Sequence, residues 1–198
     1  MNFGTLKTSV AAYLHRTDLT ALLPDFIDQA RVRIGGDLRA LSNHVTGTVT
    51  SFSVGRAALP TNWGQPVSVS LDGNPLAFMP VEQIGNYSRG VYTIDGGDLV
   101  VPEAGSTTSV DVTYYSISPV FVLDADVGVG MLEYPSIWLF ASCAEAALYV
   151  QEYQLADTMN NAYMLMLATA NRAGNDALFG PGAATVNDQP SIQGMAVL

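Results

Sequence analysis

The sequence predicts an α+β fold. It combines a four-helix bundle from N- and C-terminal helix pairs, an inserted antiparallel β domain and an extended C-terminal arm. Three observations carry that reading. The apolar period is helical at both ends of the chain and switches to two between Val45 and about Met131. The stretch Ser136–Val150 is apolar almost all the way round, interrupted only by Ser136, Ser142 and Glu145. From Ala183 to Leu198 no period remains.

The first helix is expected from Asn2, a good N-cap, to about His15, with Phe3, Leu6, Val10, Tyr13 and Leu14 on one face. Thr17-Asp18 breaks it. A second helix starts with Pro24 at N1, and Asp25 and Asp28 suit its dipole. Its stripe is Ile27, Ala30, Ile34, Leu38 and Leu41. Gly35-Gly36 lies inside it, and each glycine weakens a helix by about 1 kcal/mol relative to alanine, so a bend or early end is expected there.

The β region opens with Thr46, Thr48 and Thr50 on the polar side of an entering strand. Val67, Val69 and Leu71 alternate with serines, and Asp72-Gly73 turns the chain into Leu76-Ala77-Phe78. Val91–Ile94 and Leu99–Val101 form a second hairpin across Asp95-Gly96-Gly97-Asp98. Pro80–Asn86 reads as one helical turn, and Val110, Val112 and Tyr114 alternate through a further strand.

The third helix opens Tyr134-Pro135-Ser136, with proline pre-set for N1. An ordinary surface helix has one apolar stripe, so this one must be covered on more than one side. It spans about 22 Å at ~1.5 Å per residue, short of a membrane crossing. The fourth helix runs past Arg172 to Gly174, a natural C′ residue. Two helix pairs that cannot bury their stripes alone pack most simply into one core. The boundaries that follow are 1–44 and 130–176 for the helical bundle, 45–129 for the inserted β domain and 177–198 for the arm.

The arm is not a solvating tail. Gly180-Pro181-Gly182 forms a hinge, and Val186, Ile192, Met195, Val197 and Leu198 follow with Asp188 as the arm's one charged side chain. From Gly182 it reaches about 55 Å if extended at ~3.3 Å per residue.

Composition narrows the function. Charged residues are 13% of the chain, against about 25% in an average domain, while hydrophobic residues reach 48% and mean hydropathy is +0.23. That combination suggests surface hidden in an oligomer. A net charge of −10 excludes a binder that grips nucleic-acid phosphates, although not a wall past which nucleic acid slides. Cys143, the single cysteine, sits in the third helix and reads as a small buried hydrophobe. The opening residues hold no long apolar run, so no signal peptide is expected and synthesis belongs in a reducing cytoplasm.

No catalytic, cofactor-binding or metal constellation emerges. Asp124-Ala125-Asp126-Val127-Gly128 lacks the glutamate a calcium loop needs at its twelfth position, where Pro135 stands, and reads as a turn. Gly128-Val129-Gly130 lacks the third glycine and the βαβ context of a dinucleotide site. His15 and His44 are the two histidines, both at ends of elements, and no HExxH, Gly-x-Ser-x-Gly or P-loop occurs. Pairs among the 18 acidic residues read as solvated loop acids. Trp138, Phe140 and Tyr149 lie on the third helix and read as core, and Trp63 lies in a loop where it caps strands or touches a partner.

Several phrases stand in a telling order: Met1-Asn2-Phe3-Gly4-Thr5-Leu6, Leu23-Pro24-Asp25-Phe26-Ile27-Asp28-Gln29-Ala30, Leu59-Pro60-Thr61-Asn62-Trp63, Leu71-Asp72-Gly73-Asn74-Pro75-Leu76 and Tyr134-Pro135-Ser136-Ile137-Trp138-Leu139-Phe140. With Ala144-Glu145-Ala146-Ala147 and Asn171-Arg172, the chain resembles the head-to-tail adaptor (connector) proteins of short-tailed bacteriophages. The resemblance covers roughly Met1 to Arg172. Gly35-Gly36 departs from it, standing where such proteins keep better helix formers. It implies a homo-oligomeric ring, usually dodecameric, docked under the portal protein and continued by the tail nozzle protein. DNA passes through the lumen without specific binding. It implies no enzyme chemistry, no cofactor and no membrane, and a place in the virion at the portal vertex after synthesis in a bacterial host. On that reading Val186, Ile192, Met195, Val197 and Leu198 are portal-interface candidates, and Trp63, Trp138 and Tyr149 are candidate subunit contacts. The alternative is a carbohydrate- or ligand-binding module on the β domain, with Trp63, Tyr87 and Tyr92 as an exposed platform. An enzyme of unrecognised type ranks last.

Overall fold

The computed structural model describes residues 1–16, 18–40 and 43–179. The hinge Gly180, Pro181 and Gly182 and the arm residues Val186, Ile192, Met195, Val197 and Leu198 lie outside the described residues, as does Leu41.

Asn2 caps α1 (Phe3–Leu14) reciprocally: its Oδ1 accepts the Thr5 N–H at 2.9 Å while Thr5 Oγ1 accepts the Asn2 N–H at 2.8 Å. Phe3, Leu6 and Val10 are buried. Tyr13, expected on the same stripe, is 47% exposed and meets Phe140 edge-on. Helix α2 (Leu23–Asp37) begins with Pro24 in its first turn and ends directly after Gly35-Gly36. Gly35 is also a contact point, since a methyl there would stand 2.5 Å from Ile117 Cγ2.

Helix α3 (Pro135–Tyr149) buries four consecutive residues, Ala141, Ser142, Cys143 and Ala144, which a helix can do only when flanked on several sides. Helix α4 (Tyr153–Phe179) buries Ala156, Met159, Tyr163, Leu167 and Ala170 at spacings of three and four. Helix α3 packs on α1, α2 and α4, and all four helices contribute to one apolar cluster.

The β region forms two sheets. Strands β1 (His44–Val49), β2 (Arg56–Ala58), β3 (Trp63–Leu71), β4 (Asn74–Pro75), β5 (Ala77–Phe78), β6 (Val91–Asp95), β7 (Asp98–Val100) and β8 (Val110–Ser116) are arranged as β1-β8-β3-β4 and β2-β7-β6-β5. The pairings are antiparallel except β5 with β6. Val49 and Val110 from one sheet, with Tyr92 and Leu99 from the other, join a second apolar cluster.

Three expectations are corrected here. The Asp72-Gly73 turn, at φ 51° and 78°, does reverse the chain, but its return strand stops after Pro75. Leu76 N–H still donates to the Val69 carbonyl at 2.8 Å, and Ala77-Phe78 then crosses to pair in parallel with β6, where the Ala77 and Met79 N–H groups donate to the Gly90 and Tyr92 carbonyls at 2.9 and 2.8 Å. Gly174 does not terminate α4, which runs on to Phe179. A side chain at Gly174 would strike the Arg39 carbonyl oxygen, so the glycine serves close packing against the chain leaving α2. Trp63 is likewise not in a loop but opens β3.

The excursion leaves and returns at one place. Arg31 Nη1 donates to the Ser118 carbonyl at 2.8 Å, and Ser116 Oγ donates to the Asn43 carbonyl at 3.3 Å. The connection after β8 then turns back onto the helices. The Phe3 and Gly4 N–H groups donate to the Asp126 and Asp124 carbonyls, and Phe121 packs between Phe3 and Trp138.

The two kinds of helical glycine should respond oppositely. Nothing lies within 4 Å of a methyl built on Gly36, so Gly36→Ala should raise stability by up to about 1 kcal/mol. Gly174→Ala should instead lower it by roughly 1–3 kcal/mol, because the propensity gain is outweighed by overpacking against fixed backbone. Urea unfolding of both variants checks the pair of signs.

Candidate interaction surfaces

Cations are scarce in this chain and already engaged. Lys7 meets Asp124 at 2.6 Å, Arg16 meets Asp18 at 2.7 Å, and Arg31 meets Asp28 at 2.7 Å. Arg56 bridges Asp95 and Asp98 at 2.8 and 3.2 Å and so ties the turn between β6 and β7 to β2. Arg39 sits over the Tyr115 ring with its guanidinium donating to the Leu38 carbonyl, and burial lowers its pKa. Arg39, Arg89 and Arg172 are the cations left without a carboxylate within ion-pair distance among the described residues, and of these Arg39 is taken up by the Tyr115 ring and backbone carbonyls. Asp25, Asp72, Glu82, Glu133 and Asp157 are exposed and carry no ion pair. The accessible field is therefore acidic.

A polar seam locks α2 to α4. Arg33 lies over the Tyr163 ring at 4.3 Å, reaches Glu145 at 3.6 Å and donates to Asn160. Tyr163 donates to Asp37 Oδ2 at 2.8 Å. Burial, with the Asp37 carboxylate, holds the Tyr163 hydroxyl protonated well above its ordinary range. Asn171 donates to the Asp37 carbonyl at 2.9 Å and accepts the Arg39 N–H at 2.6 Å. The sequence reading missed this seam. Its available signals were the Arg33–Asp37 spacing of four and a tyrosine on the buried stripe of α4.

The Asp124–Asp126 stretch is a turn. Asp126 Oδ2 accepts the Val122 and Leu123 N–H groups at 2.7 and 2.8 Å, which hold its pKa below the usual value. Gly128 gives Trp138 its room, since a methyl there would stand 2.6–2.7 Å from the Trp138 and Phe121 rings. Among the described residues no three His, Cys, Asp or Glu side chains group as a metal site, and no helix is long and apolar enough to cross a membrane.

Of the candidate subunit contacts, Trp138 is 1% exposed and wholly engaged by its own chain, with Nε1 donating to the Val129 carbonyl at 3.3 Å. Trp63 is half-buried and stacks on Tyr114 at 4.6 Å. Tyr149 remains accessible at 60% exposure, leaning on Phe26. The aromatic platform of the alternative reading does not form. Tyr92 is buried beside Phe78, Trp63 is taken up by Tyr114, and Tyr87 stands alone among the three as exposed.

Exposed apolar side chains gather elsewhere. Leu148, Tyr149 and Tyr153 stand at the α3–α4 turn, and Met164 and Leu165 stand on the outer face of α4. A groove of about 490 Å³ runs between α1 and α3, lined by Ser9, Ala12, Tyr13, His15 and Leu139. A smaller hollow of about 280 Å³ near the β3–β4 turn includes Glu103, whose carboxylate is occupied by the Gly90 N–H at 2.9 Å.

A family model described as the SU10 adaptor protein matches residues 1–185. The chain belongs to that family. It is a phage adaptor protein, a component of the virion. No curated protein matches the chain. The adaptor's family implies a structural role rather than catalysis, and association with other head–tail proteins of the phage.

Burial pushes the adaptor's Cys143 thiol up to about 12. A thiol reagent at mildly alkaline pH should therefore leave the native protein unmodified and label it promptly once unfolded. Because the unfolded chain releases that proton first, stability should fall as pH rises past the ordinary thiol value. Rapid labelling of the native state would mean that α3 is not enclosed.

Proposed function

We propose that this adaptor assembles as a homo-oligomeric ring, twelve copies by the family resemblance, between the phage portal and the tail nozzle, with DNA passing through its lumen. The match over residues 1–185 carries this reading. In it, the helices of 1–44 and 130–176 act as one bundle and the assembly body, and 45–129 is an inserted β domain. The arm is the stretch beyond the end of α4 at Phe179, with Val186, Ile192, Met195, Val197 and Leu198 meeting the portal across the Gly180-Pro181-Gly182 hinge.

The charge arrangement supports the lumen. A wall along which a duplex must slide should not bind it, and binding phosphates requires free cations in a patch. Here an acidic field repels phosphates while the ion pairs hold the subunit itself together. The apolar arm supports the docking role, because side chains of that type are worth about 1.5–3 kcal/mol each when removed from water.

Isolated adaptor should show no measurable affinity for duplex DNA at physiological salt, read by fluorescence anisotropy. Tight, salt-sensitive binding would overturn the sliding-wall reading.

Imaging of phage particles tests the placement. The adaptor should resolve as a ring at the portal vertex. A chain lacking Ala183–Leu198 should keep its melting temperature yet fail to join the portal. Density for the adaptor elsewhere in the particle would remove the function proposed. A truncated chain that melts earlier but still docks would assign the arm to the chain's own core.

A further inference from the structure

The outer face of α4 and the groove between α1 and α3 are two different surfaces on separate flanks of α3. Helix α3 packs on both α1 and α4. A ring is built from heterologous contacts, in which one patch of each copy meets a different patch of the next. The two flanks have the matching chemistry such a contact needs.

From Thr158 to Asn171, about 21 Å of helix at ~1.5 Å per residue, α4 carries no charged side chain. Yet Asn161, Met164, Leu165, Ala168 and Thr169 on this stretch face outward. The hydroxyls there are already satisfied by the helix itself. Thr158 donates to the Gln154 carbonyl at 2.8 Å and Thr169 to the Leu165 carbonyl at 3.0 Å, so neither needs water. Leu165 is 63% exposed and Met164 50%.

The α1 flank repeats the pattern in concave form. No charge occurs from Thr8 to Leu14, and Thr8 donates to the Gly4 carbonyl at 3.1 Å. The small residues Ser9 and Ala12 line the groove together with Tyr13, Leu139 and, at its end toward the α1 C-terminus, His15. Small side chains on one helix and projecting Met and Leu on the other allow interaxial distances of about 8–10 Å. Two faces whose helix stretches carry no Asp, Glu, Lys or Arg lose little on desolvation and gain from the apolar area they cover.

We propose that α4 of one copy seats Met164, Leu165 and Ala168 in the α1–α3 groove of the next copy, beside Ala12, Tyr13 and Leu139. This deepens the ring reading and rests on it.

Paired cysteines test the contact. Buried Cys143 leaves the wild-type chain as the uncross-linked control. In rings formed with the portal, the double variant Ala12→Cys/Leu165→Cys should give a ladder of covalent multimers on mild oxidation. Either single variant should stay monomeric on a non-reducing gel. Leu165→Arg should leave the melting temperature of the free chain unchanged and abolish ring formation. Covalent dimers from Leu165→Cys alone would show α4 meeting itself and overturn the proposal. So would rings of the double variant that yield no ladder, or Leu165→Arg rings that form normally, while leaving the ring reading intact. If the wild-type chain forms no ring with its portal, the function proposed above fails first.

Discussion

Helix α3 cannot be left against water on any flank along its middle turns, and the rest of the helical part follows from that constraint. Ala141 to Ala144 are buried without a break, so neighbours must come from several directions at once. They are supplied by α1 and α2 from the start of the chain and α4 from the end of the helical region. Alanines along α3 let those neighbours approach closely, and the large Trp138 is received where Gly128 offers no side chain. Closing the core this way brings residues more than a hundred positions apart into contact. The order penalty of that closure is offset by apolar burial, the dominant favourable term in folding.

The same closure explains how the β region is carried. Its two ends must leave and rejoin a helical body at neighbouring points, and the bonds between Arg31 and Ser118 and between Ser116 and Asn43 hold them there. The returning segment does more than connect. Phe121 fills the space between Phe3 and Trp138, and the Asp124 and Asp126 carbonyls accept the first N–H groups of α1, donors that a helix N-terminus leaves without partners. An insertion fixed at so few points can have a core of its own, and the cluster around Tyr92, Leu99 and Val112 is separate from the helical one.

Polar chemistry here is spent on geometry. Arg33, Asp37, Tyr163 and Asn171 set α2 against α4, and Arg56 locks a turn to a neighbouring strand. A protein with eight cations that uses most of them in its own joints offers little for phosphate to hold. What remains outside is acidic in the loops and uncharged along the middle of α4. The ring proposed above calls for this division, adhesive toward protein and indifferent to nucleic acid.

Sequence by itself determined what depends on local rules. The Asn2 cap, the proline-led starts of α2 and α3, and the alternation in β8 are set within a few residues, where hydrogen-bond spacing and apolar period act. The all-round apolar character of α3 also announced that helix as enclosed. Tertiary structure alone decided which surfaces those elements use. Gly174 reads as a stop by propensity, yet α4 continues because the missing side chain is required by backbone arriving from Arg39. Trp63 looks available until the partner strand brings Tyr114 beneath it, and Ala77-Phe78 looks like a hairpin arm until β6 offers a parallel edge. The Arg33–Tyr163 seam joins positions 130 residues apart, and pairing energies at that separation exist only once the chain has closed. Local energetics fixes what each segment becomes, whereas contact energetics fixes what it faces, and no window of sequence contains the second.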